Sequence, residues 1–118
     1  MDNREKDVYA MWSHNPLHLV LKGKWFDMIA NGTKKEEYRV IKPYWVRRLT
    51  AMRALRSTYD YQLKIKVIDI VVFHRGYTSK WIAFKLEDII IGKGDPKLGA
   101  PTEDCFIIKL GEQVRMRT

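Results

Sequence analysis

The first regular segment of the chain, LHLVLKGKW, alternates by parity. Leu17, Leu19 and Leu21 occupy one face, and His18, Val20 and Lys22 the other, the two-residue period of a strand with one buried side. In KWFDMIANG the period changes. Trp25, Phe26 and Ile29 gather on one side of a short helix, and Gly32 is suited to end it in the left-handed conformation. KKEEYRV then alternates again and reads as a second strand. Pro43 opens a second helix over PYWVRRLTAMRALR, with Trp45, Leu49 and Met52 in one narrow core-facing arc. Its arginines, Arg47, Arg48, Arg53 and Arg56, scatter around the wheel and read mostly as solvated charges.

Beyond the polar junction STYDYQ the pattern turns β-rich. LKIKVIDIVVF is dense in β-branched residues, HRGY turns through Gly76, and WIAFKLEDIII returns as another strand. GKGDPKLGAP reads as a loop, and DCFIIKLGEQV closes as the last strand. Residues 1–16 show no sustained period and read as a mobile arm, leaving 17–118 as a single domain. Strands that follow early helices predict an α+β fold rather than a doubly wound sheet. A closed or half-closed β-barrel with short helices packed over its ends is the simplest way to cover so many strands.

Composition narrows this further. In 118 residues, 46% are hydrophobic, which allows one domain with a real core. No apolar run is long enough to span a membrane, and the opening MDNREKDVYAMW is charged where a signal peptide would be apolar, so a cytoplasmic protein is expected. Cys105, the single cysteine, lies in an apolar run and reads as a packed core thiol. His14 and His18 have helical ligand spacing, but Pro16 between them breaks it, and His74 has no carboxylate companion. No metal and no cofactor is therefore expected. The formal charge of +8 favours a polyanionic partner, although a basic excess also serves solubility alone.

The chemistry concentrates in NGTKKEEYRVIKPYW. Residues 32–39 read G-x-K-x-x-E-x-R, with Gly32, Lys34, Glu37 and Arg39 at the fixed positions. In a strand Glu37 and Arg39 share a face, so a carboxylate stands beside a guanidinium and the two orient each other. Lys34 has the opposite parity and reaches them only if the chain bends at Gly32. Tyr38 points away and reads as core, as do Trp25 and Trp45 on their helices' apolar sides. Lys22, at the end of the first strand, and Arg75, Tyr77 and Lys80, in HRGYTSK, add cations and an aromatic. That mixture suits stacking of an unpaired base, and equally suits an ordinary polar turn.

These residues resemble the signature of the ASCH family, small RNA-linked domains of the PUA-like superfamily. The similarity covers roughly residues 17–111. It takes in LHLVLKGKWFDMIANGTKKEEYRVIKPYW, VVFHRGY and GAPTEDCFIIKLG, as in short stand-alone bacterial and phage members. The resemblance implies a PUA-like pseudo-barrel whose cleft is lined by Lys34, Glu37 and Arg39 and engages RNA or a nucleotide. One branch of the family deacetylates acetylated cytidine through a threonine, but Glu37 occupies that position here, which disfavours the threonine-dependent route. Glu37 with Lys34 or Arg39 has the group types for metal-independent ribonuclease or nucleoside hydrolase chemistry, and His74 is a further acid or base. A protein-interaction module, with the charge serving solubility, is the remaining alternative.

Overall fold

The computed structural model describes residues 16–50 and 70–117. It is an α+β fold: β1 (Leu17–Leu21), α1 (Gly23–Ala30), β2 (Glu36–Val40), α2 (Pro43–Leu49), β3 (Ile70–Arg75), β4 (Trp81–Gly92) and β5 (Cys105–Arg117). A short 3-10 turn, Pro96–Leu98, interrupts the loop between β4 and β5. The strands form one sheet in the order β1-β3-β4-β5-β2, parallel only between β1 and β3. The sheet curls into a half-barrel, so its two edge strands, β1 and β2, come towards each other.

The alternating leucines behave as their period requires. Leu17, Leu19 and Leu21 are buried inside the curl with Val71, Phe73, Ile82, Phe106 and Ile108, while His18 and Val20 face out. Phe26, Ile29 and Leu49 bring both helices onto the same core. β3 is buried on both faces, since Ile70 and Val72 belong to a second cluster with Ala83 on the other side. A strand covered on both faces has no reason to alternate, which is why IVVF is a continuous apolar run.

β4 and β5 are too long to curl smoothly. Their ladder slips between Ala83 and Phe84, between Phe84 and Leu86, and between Leu86 and Asp88. These bulges bend the pair and reset its parity: Ile82 and Phe84 face the inner core, and so does Ile89 beyond the slips.

The second helix is shorter than its sequence suggests. It ends at Leu49, because Thr50 is extended (φ −123°, ψ 156°) and its hydroxyl donates to the Val46 carbonyl at 2.5 Å. A threonine side chain that bonds back to the preceding turn offers the backbone an alternative to continuing the helix. Met52, Arg53, Arg56, the N-terminal arm through His14, and the first part of LKIKVIDIVVF lie outside the described residues. Among the described residues no helix is long and apolar enough to cross a membrane.

Candidate functional site

The site begins where α1 stops. Gly32 adopts φ +86°, a conformation that costs a side-chain-bearing residue dearly, and its N–H donates to the Ile29 carbonyl. The Asn31 side chain then accepts the Thr33 N–H at 2.9 Å, and the Lys34 N–H donates to the Met28 carbonyl at 2.9 Å. This is the bend that Lys34 needs. It turns the lysine inward, against parity, towards the face that Glu37 and Arg39 share.

Lys34 is 2% exposed, and Glu37 is 7% exposed. The Lys34 ammonium donates to the Leu98 carbonyl, stands 3.3 Å from Glu37 Oε1, and lies over the rings of Trp25 and Tyr38 at 4.9 and 4.5 Å from their centroids. Burial pulls its pKa below the ordinary lysine value, and the nearby Glu37 carboxylate opposes that shift. Glu37 Oε2 accepts from Arg39 Nη2 at 2.8 Å. The same guanidinium group donates to the Val20 carbonyl at 3.3 Å and lies over the Trp45 ring at 4.9 Å. Arg39 Nε is buried with no hydrogen-bond partner.

The result is a line of alternating charge across the gap between the two edge strands. It runs from the Leu98 carbonyl through Lys34, Glu37 and Arg39 to the Val20 carbonyl. One carboxylate serves two cations, so the array keeps a net positive charge. A buried donor without a partner is uncommon, and Arg39 Nε has capacity left for an acceptor. Trp25 and Trp45 flank this line as well as packing on the core. The amphipathic pattern located them as core residues but missed their second contact, which depends on where Lys34 and Arg39 arrive. The 93–101 loop was also missed as part of the site. Its Leu98 carbonyl holds Lys34, and Gly99 (φ +100°) lies so close to Trp25 that a Cβ there would stand 3.2 Å from the indole.

The other candidates lie elsewhere. Arg75 makes a two-pronged ion pair with Asp27 at 3.0 and 3.1 Å, and packs against Gly23 at the start of α1. Lys22 is exposed at that same end of β1. Tyr77 is fully exposed at the tip of the β3–β4 turn, and Lys80 is exposed beside it. No hydrogen bond or ion pair among the described residues joins these four to Lys34, Glu37 or Arg39.

Cys105 is completely buried, and burial pushes its thiol pKa up, as suits an unreactive core residue. His18 and His74, which sequence spacing left apart, come together across β1 and β3 with Nδ1 and Nε2 2.9 Å apart. Compared with known proteins, the chain matches no family model, no curated protein and no solved structure.

Proposed function

We propose that this chain is an RNA- or nucleotide-binding domain of the ASCH type, PUA-like in fold, with its cleft built on Lys34, Glu37 and Arg39. The observation that carries the reading is the alternating line of these three side chains, flanked by two indoles and ending in an unpartnered Arg39 donor. A guanidinium with spare donors is suited to a phosphate or a base edge, and an indole beside it offers a stacking surface. The resemblance of residues 17–111 to ASCH proteins and the net charge of +8 point the same way. Lys22, Tyr77 and Lys80, with Arg75 paired to Asp27, lie at the end of β1 next to Val20, where a longer RNA strand would continue.

Catalysis is the second reading, and one observation favours it: a lysine whose pKa is lowered by burial holds a larger share of the unprotonated amine, the form that can act as a base, than an ordinary one. Incubation with labelled mixed-sequence single-stranded RNA in EDTA separates the readings when both retention and shortening are scored. Retention without shortening, weakened by Arg39→Ala, is the expected result. Shortening that disappears in Glu37→Gln would instead make the protein a metal-independent ribonuclease. An intact RNA that is not retained at moderate salt would reject RNA as the ligand and leave a free nucleotide or a protein partner.

A further inference from the structure

Outside the cleft the most distinctive cluster is a pair of imidazoles. His18 Nδ1 and His74 Nε2 are 2.9 Å apart, and the rings are stacked with centroids 5.2 Å apart and planes inclined by 27°. The pair sits on the outer face of the β1 edge. His74 is the register partner of Val20, whose carbonyl Arg39 holds, and His18 lies two residues earlier on the same strand, about 7 Å along it. Among the described residues the charges His18 feels come from His74 on β3 and Arg48 on α2, and neither is a carboxylate. Arg48 is three residues beyond Trp45 on α2, one helical turn from the ring that Arg39 covers.

We infer that His18 and His74, together with Arg48, form a second anion subsite next to the Lys34–Glu37–Arg39 cleft, taking a backbone phosphate when the pair holds one extra proton. The bond geometry sets the proton count. One N–H···N bond needs one proton between the two facing nitrogens. The neutral pair then shows one outer N–H and one outer lone pair. A further proton goes to that lone pair, keeps the inner bond, and makes both outer nitrogens donors beside Arg48. Burial, His74 and Arg48 all hold the His18 pKa below its ordinary value, so the extra proton is taken up at mildly acidic pH or when an anion arrives to offset the cations.

Naming a nucleic-acid phosphate as the ligand rests on the proposed function, whereas the anion chemistry does not. The test is therefore made first with inorganic sulfate, which does not titrate near neutrality. Imidazole resonances of the full chain are followed between about pH 5 and 8, in sulfate and in chloride of equal ionic strength. Sulfate should raise the titration midpoint of the pair by about one unit, equivalent to about tenfold tighter binding to the protonated form. In parallel, RNA affinity should rise as pH falls for the wild type and stay level for the His18→Gln/His74→Gln variant.

An unmoved midpoint in sulfate overturns the inference. So does a response of both rings to zinc chloride but not to sulfate, which would make the pair a metal ligand set. RNA binding that ignores pH in the wild type overturns this subsite and leaves the cleft reading intact. A sulfate shift without RNA retention supports the subsite while rejecting RNA.

Discussion

At the scale of the residue, the site is a problem of buried charge. Lys34 is removed from water, and Glu37, the Leu98 carbonyl and two aromatic faces replace its hydration. Removing the carboxylate strands the ammonium, so Glu37→Leu should destabilise the domain by about 3–5 kcal/mol in urea titrations. The lysine also leaves a mark on the pH dependence of stability. Its folded pKa lies below its reference value of 10.5, so between the two values the unfolded chain binds more protons than the native one. The cost of burying the charge is therefore complete below the folded pKa and is relieved as pH rises through the window up to 10.5. Relative to Lys34→Met, wild-type stability should climb with alkaline pH. A stability difference that stays level, or falls, across that window would contradict the assignment.

At the scale of the element, short pieces of structure are held by single residues. α2 ends where Thr50 bonds back to Val46, and the 3-10 turn starts where Asp95 accepts the Lys97 N–H at 2.9 Å. Gly99 closes that turn in the left-handed region, directly against Trp25. Gly99→Ala should cost about 1–2 kcal/mol from backbone conformation alone. It should also push the indole away from Lys34, and that displacement belongs to the site rather than to stability. Thermal melts and tryptophan fluorescence measured on the same variant separate the two effects. An unchanged emission spectrum would mean that the loop does not set the position of Trp25.

At the scale of the molecule, Arg39 links the open edges of a half-barrel. It stands on β2, and its guanidinium donates to the Val20 carbonyl on β1, at the opposite end of the strand order. Arg39→Ala should lower stability by about 1–3 kcal/mol, since Glu37 loses a charged donor and the edges lose a tie. If the same side chain contacts a phosphate, the variant should also flatten the log–log salt dependence of single-stranded RNA binding by about 0.7. Arg47→Ala, at an exposed position on α2, provides the surface-charge control. Equal slopes for wild type and Arg39→Ala would assign Arg39 a structural role only.

Much of this was legible from local pattern. The parity of Leu17, Leu19 and Leu21 fixed the buried face of β1, and the spacing of Trp25, Phe26 and Ile29 fixed that of α1. The parity of Glu37 and Arg39 put their side chains together, because each of these relations spans only a few residues and follows from a strand or helix period. Gly32 foretold the bend that admits Lys34. Local pattern failed where a side-chain bond competed with the helix and where pairing bent the strands. Thr50 ended a helix that periodicity would have continued, and bulges reset the parity of β4 and β5. Only the assembled fold brought Val20 to Arg39 across the curled sheet, Leu98 to Lys34 from a loop, and His74 to His18 by strand pairing, across 19, 64 and 56 residues of sequence. The sequence determined which faces are buried and which charges lie side by side, since those depend on short-range geometry. The tertiary structure decided what those charges meet, because the edges of a sheet approach each other only once the whole sheet has formed.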